Sequence, residues 1–298
     1  MELPLVVGVD GSESSLLAVD WAVDEAARHG RPLRLVHASL WERYERARPA
    51  FSTDRPAGEV MAQNIVASCA ERARLRNPEV KVSADVVAAD AVSTLLRAGS
   101  EAFALVTGVH GRGEVAGLLL GSVSLTVAAR AMCPVIVVRG DERNLRGSLG
   151  RVVVGVGDAT EGAGAVRFAA REAEARACAL TAVRAWRSPV HEPGSSPTEP
   201  GPGDLGLAAD AAAPEEQVSA TLDHALREVV REHPEVDVTR SVVEGPAHRV
   251  LLEASADADL IVVGAQRRHG HSGLQLGSVA HALLHHSACP VAVVPHRV

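Results

Sequence analysis

The residues of this 298-residue chain best suited to chemistry are the glycines and serines of GVHGRGEVAGLLLGSVS, Gly108 to Ser124. Glycines at 108, 111 and 121 leave no Cβ between a ligand and the backbone N–H groups. Ser122, Val123 and Ser124 then open a helical pattern, and the first amides of a helix have no partner inside it. A loop of this kind is a receptor for phosphate. A glycine-rich surface turn is the other use of the same residues. To act on a ligand the loop needs a strand that delivers it and a helix that receives it. Ala104–Thr107 is a short apolar run that reads as a buried strand, and Ser122–Met132 reads as the helix.

Composition narrows the chemistry further. A formal charge of −7 and 2% aromatic residues remove the basic footprint and the stacking platforms of a nucleic-acid binder. No apolar run approaches the roughly 18 residues of a membrane span. Met1-Glu2 leads directly into strand-like sequence without a visible leader, so a cytoplasmic location is expected. Cys69, Cys133, Cys178 and Cys289 lack CxxC spacing and read as free thiols. The single lysine, Lys81, opens a strand far from the loop, whereas P-loop and kinase mechanisms need a lysine beside the phosphates. His269 and His271 flank Gly270, and His281 and His285 stand one helical turn apart. No nearby group supplies a third and fourth ligand, so these histidines read as solvated rather than metal-binding.

The elements around the loop alternate in type. Pro4–Ser12 is a strand ending in Asp10-Gly11-Ser12, with Ser12 placed to cap the helix that runs to Arg28. Leu33–Trp41 is a second strand, Glu59–Arg76 a helix, Val80–Val87 a strand, Ala91–Gly99 a helix and Cys133–Val138 a closing strand. Strands alternating with helices predict parallel βαβ units with right-handed crossovers. After the charged stretch Asp141–Gly150 the order begins again. RVVVGVGDA from Arg151 answers PLVVGVDGS from Pro4, DADLIVVGAQRRHGHSGLQLGSVA from Asp257 answers the central loop, and CPVAVV from Cys289 answers CPVIVV from Cys133. This is a tandem duplication. It divides the chain into 1–142, a linker at 143–150, and 151–298, with a Pro/Gly/Ser/Ala-rich loop over 188–214.

Glycine, two residues, glycine, nine residues, Gly-Ser, all following a strand, resembles the ATP-binding loop of the universal stress protein family, and the likeness covers nearly the whole chain as two copies. The resemblance implies an α/β fold of two tandem five-stranded parallel doubly wound sheets, Rossmann-like, each of order 3-2-1-4-5. In such a sheet ligands bind beyond the carboxyl ends of the strands, where strand order reverses. Strands one and four then bring Asp10 and Gly108 face to face. By similarity to the family, Asp10 contacts the nucleoside, the backbone of Ala38 reads the adenine edge, and Gly108, Gly111, Gly121, Ser122, Val123 and Ser124 hold the phosphates. Helix N-capping is the alternative for Asp10. Arg112, inside the loop, adds charge to a phosphate site or is simply solvated. ATP with a recruited Mg2+ is the expected ligand. In the family strand five pairs two domains, so the copies are expected to pair through an exposed edge, with homodimerisation as a further option.

The second copy departs from the pattern. Gly264, Gly277 and Ser278 remain, but Gly157 stands where Asp10 stands, with Asp158 next to it, and Arg267 replaces the middle glycine. Its site is expected to be weak or empty. The segment Glu244-Gly245-Pro246-Ala247 has Ala88-Ala89-Asp90-Ala91 as its counterpart. The function implied is an ATP-binding stress-response module with little or no turnover. The rival is a slow ATPase or nucleotidyl-transfer enzyme, which fold alone does not exclude.

Overall fold

A computed structural model describes residues 2–40, 57–111, 120–157, 159–187, 214–265 and 276–296. The first half contains strands β1 (Leu5–Gly8), β2 (Leu33–Ala38), β3 (Val82–Val87), β4 (Ala104–Gly108) and β5 (Val135–Val138). Its helices are α1 (Glu13–Arg28), α2 (Ala57–Arg76), α3 (Ala91–Gly99), α4 (Ser122–Arg130) and the short α5 (Glu142–Leu145). The second half repeats the order with β6 (Arg151–Gly155), β7 (Ala179–Trp186), β8 (Val238–Glu244), β9 (Leu260–Ala265) and β10 (Val291–Pro295). Its helices are α6 (Ala159–Arg176), α7 (Pro214–Glu232), α8 (Ala247–Ser255) and α9 (Ser278–His286).

All ten strands form one sheet of order β3-β2-β1-β4-β5-β10-β9-β6-β7-β8. Within each half the order is 3-2-1-4-5 and every pairing is parallel. The halves meet at the one antiparallel pair, Val137 opposite Val291 and Val135 opposite Val293. The two copies pair through strand five, as expected, and this places each copy's own edge at the centre of the sheet: Val137 and Val293 are 0% and 1% exposed. The outer edges are β3 and β8. Because an unpaired strand offers a full row of donors and acceptors, each half satisfies the other's edge.

Alternation along the strands explains why they read as continuous apolar runs. Leu5 and Val7 of β1 enter a cluster with α1, α2, α6 and α7, while Val6 enters a second cluster with α3, α4, α8 and α9. Both faces are covered, so both sets of side chains must be apolar.

Local chemistry sets the helix starts. The Ser12 side chain accepts from the Ser15 N–H at 3.2 Å and caps α1. Asp90 caps α3 by accepting from Ser93 N–H at 2.9 Å, whereas Pro246 starts α8 with no side-chain cap. The unmatched segments after β3 and β8 are thus two ways of starting the same helix. The stretch expected as a linker is packed against the second half. It contains α5, whose buried Asn144 donates to the carbonyls of Ser255, Ala256 and Ala258 at 3.3, 3.1 and 2.9 Å. Asp259 in turn accepts from the amides of Leu149, Gly150 and Arg151. The Pro/Gly/Ser/Ala-rich loop over 188–213 lies outside the described residues.

Where α1 meets α6 across the seam, a charged cluster is buried. Glu25 and Glu172, matching positions of the two copies, are both 0% exposed. Arg176 binds Glu25 at 2.8 and 3.0 Å and Glu172 at 2.7 Å, and His29 Nε2 lies 3.3 and 3.2 Å from the same two carboxylates. Among the described residues this is the one group of three His, Cys, Asp or Glu side chains close enough to share a metal ion. Arg176 already supplies its positive charge, so we read it as an ion cluster. Burial opposes ionisation of Glu25, but the Arg176 charge and hydrogen bonds from Glu172 and His29 outweigh it and hold this carboxyl well below the usual range. Burial and then the Glu25 charge push Glu172 up to about 7. Burial disfavours the His29 cation, yet hydrogen bonds to Glu172 and Glu25 prevail and raise it to about 9.

Candidate functional site

The first cavity, about 140 Å3, lies where strand order reverses between β1 and β4. Asp10, Ala38, Gly108, Gly111, Gly121, Ser122, Val123 and Ser124 all line it. The eight residues singled out in the sequence are thus brought to one place, although they come from four separate segments. Parallel strands ending at the same side of the sheet account for this, since each carboxyl end delivers its following loop to one rim.

Asp10 is held by its neighbours rather than by capping. Its Oδ1 accepts from the Ser12 amide at 3.0 Å and from the Ser12 hydroxyl at 2.6 Å. The cap of α1 is Ser12, so the alternative role for Asp10 is not the one it plays. Its Oδ2 lies 3.1 Å from where a Gly111 Cβ would stand, so the carboxylate and the loop glycine are packed against each other at the cavity rim. The buried Ser15 hydroxyl completes the turn, accepting from Gly11 N–H at 3.2 Å and donating to the Ser12 carbonyl at 2.9 Å.

The glycines have different duties. A Cβ on Gly108 would sit 2.3 Å from Ser14 Oγ and 2.6 Å from its carbonyl oxygen, so this residue is glycine because β4 ends against the first turn of α1. The Ser14 hydroxyl also accepts from the His110 amide at 3.2 Å, and the buried Ser124 hydroxyl donates to the Gly108 carbonyl at 2.8 Å. Gly121 caps α4 without a side-chain bond, and its own amide donates to Val109 at 2.8 Å. The amides of Ser122, Val123 and Ser124 form the open first turn of α4 at the cavity wall, the positive end of the helix dipole. Arg112 lies outside the described residues.

Several lining residues escaped the sequence reading. Val36, Ala91 and Leu95 give the cavity an apolar wall fit for a flat base. The helical spacing of Ala91 and Leu95 was the available signal. His37, 8% exposed, is tucked beneath the site, its Nδ1 donating to the Val9 carbonyl at 2.7 Å.

The second cavity, about 270 Å3, gathers Gly157, Gly264, Gly277 and Ser278 in the corresponding place. No carboxylate lines it among the described residues. In its place Arg184, the counterpart of His37, turns its guanidinium onto the carbonyls of Val156, at 3.4 Å, and of Gly157. Laying the two copies side by side would have shown this exchange. At this position the described residues of the second cavity thus supply a cation, where those of the first supply the Asp10 carboxylate. Asp158, Arg267, His269 and His271 lie outside the described residues. His281 and His285 stack with ring centroids 4.4 Å apart.

The four cysteines are free thiols, and burial pushes Cys133 up to about 11 and Cys289 to about 12. Such thiols are inert packing groups. No helix among the described residues is long and apolar enough to cross a membrane.

Comparison with known proteins agrees with the geometry. A universal stress protein of Mycobacterium tuberculosis is 32% identical over 297 residues, covering 97% of this chain and 96% of that protein. The crystal structure of a universal stress protein from Archaeoglobus fulgidus superposes with a TM-score of 0.70 at 16% identity, covering 99% of both chains, and so shares the fold. A universal stress protein solved in complex with cAMP is 30% identical and covers 47% of this chain and 98% of its own, with a TM-score of 0.36. The family model of the universal stress protein family matches twice, over residues 3–139 and 149–295. With both halves of its sheet and both of its loops accounted for in this way, the chain belongs to the universal stress protein family.

Proposed function

We propose that the first cavity binds ATP, with Mg2+ on its phosphates, and that the chain is a stress-response module reporting nucleotide state with little or no turnover. One observation carries this reading: a carboxylate and the open amides of a helix N-terminus stand on facing walls of one cleft, beside an apolar surface. Asp10 would accept ribose hydroxyls, the wall of Val36 and Leu95 would take the base, and the α4 amides would take phosphate. The fit is to a nucleotide, since phosphate alone would leave the carboxylate and the apolar wall unused.

Asp10→Ala is expected to weaken ATP binding by about 1–3 kcal/mol, the cost of losing hydrogen bonds to a charged group. Calorimetry with the purified chain tests this, and mass spectrometry of the denatured protein would identify any nucleotide carried through purification. Unchanged ATP affinity in Asp10→Ala would sink the assignment.

Turnover is expected to fall far below the common enzyme median of about 10 per second. Phosphoryl transfer needs positioned cations and an oriented nucleophile. Lys81, the one lysine, is exposed at the amino end of β3, whereas the cavity lies at the carboxyl ends of the strands. Phosphate release near the median rate would reverse this part of the reading in favour of an enzyme.

A further inference from the structure

The second half reaches the loop of the first cavity. Leu120 precedes the Gly121 cap of α4, and its N–H donates to Nδ1 of His285, on α9 of the opposite half, at 3.3 Å. The next amide, of Gly121, donates to the Val109 carbonyl at 2.8 Å. These two bonds hold the exit of the loop between the end of β4 and the other copy. The Leu120 side chain is buried in the same cluster as Leu283 and Leu284 of α9. Arg139, just past β5, ties α9 to the first half from the other side by donating to the Leu284 carbonyl. The residue of α4 that answers His285 is Ala129, whose side chain has no acceptor to offer Leu276.

We propose that His285 is a positioning residue for the first cavity: its neutral imidazole accepts the Leu120 amide and so sets where the α4 amides stand relative to Gly108 and Gly111. This rests on the reading of that cavity as a nucleotide site. Nδ1 accepts only when it carries no proton, and an imidazolium donates from both nitrogens. Burial lowers the tendency of His285 to protonate, and the facing charges of His281 and His286 on α9 and of Arg139 beyond β5 lower it further. The folded protein therefore favours the neutral ring. Its contribution is present above the ordinary histidine value of 6.5 and is lost as pH falls through the lower folded value.

The test uses the full chain, with ATP and Mg2+ in calorimetry and hydrogen exchange at the Leu120 amide without ligand. At neutral pH, His285→Ala is expected to weaken ATP about three- to tenfold, the equivalent of one ordinary hydrogen bond, and to speed exchange of Leu120. His285→Asn places an acceptor oxygen near the position of Nδ1 and should restore both. Acidifying the wild type well below the ordinary histidine value of 6.5 should reproduce the alanine phenotype, while the asparagine variant keeps its Leu120 protection. Equal Leu120 exchange in wild type and His285→Ala would overturn the proposal. So would equal weakness of the alanine and asparagine variants, which would make the ring a packing group. If the wild type takes up no ATP, the nucleotide reading fails, and Leu120 exchange alone still decides whether His285 is the brace.

Discussion

Arg176→Met is expected to lower the unfolding free energy by about 3–5 kcal/mol, as breaking a buried ion pair by removing one partner does. Methionine keeps much of the volume, so the loss reports charge rather than a cavity. The variant leaves Glu25 and Glu172, both fully buried, against His29, with Arg28 Nη1 on Glu25 at 3.0 Å as the one other cation beside them among the described residues. Denaturant titration measures this, and a loss under about 1 kcal/mol would mean the cluster is no more than a surface pair in effect. The pH dependence has a defined sign. Glu172 and His29 have folded values above their ordinary 4.5 and 6.5, at about 7 and about 9. Their stabilisation is complete below the ordinary values and is lost as pH rises through the folded ones. Glu25 acts oppositely, its contribution being lost as pH falls below the carboxylate range. Wild-type stability should therefore decline from about pH 5 towards 9.

Titrating nucleotide-free protein with ATP is expected to find one tight site per chain, with the second at least about 30-fold weaker. Among the described residues the second cavity has no counterpart of the Asp10 carboxylate, holds the Arg184 guanidinium on the Val156 and Gly157 carbonyls, and has Ala129 where the first has His285. Loss of the carboxylate contact alone costs on the order of 1–3 kcal/mol. The defect is open to repair. A Cβ built on Gly157 meets nothing within 4 Å, so Gly157→Asp has room, and with Arg184→His it recreates the first cavity's pair. Isotherms showing two equal tight sites in the wild type would mean that Gly157 and Arg184 are tolerated. The asymmetry argument would then be lost.

Much of this protein was legible in its residues. The duplication, the order of elements, the loop at Gly108–Ser124 and the Ser12 cap all follow from patterns within a dozen or so residues, where apolar spacing and caps act locally. The exchange of Asp10 for Gly157 was visible too, because the two copies can be laid side by side. What tertiary structure alone decided are the contacts between segments far apart in the chain. Gly108 reads as a phosphate glycine, yet its missing Cβ is demanded by Ser14. Asp141–Gly150 reads as a linker from its charges, and only the structure shows Asn144 and Asp259 fastening it to the second half. Glu25 reads as one more charge on a helix, and only the approach of α6, 151 residues away, buries it against Arg176. Periodicity tells which face of an element avoids water, but not which element covers it. A buried charge, a close backbone approach and a cross-half hydrogen bond are properties of the pair, and the pair exists only after the sheet has closed around the β5–β10 seam.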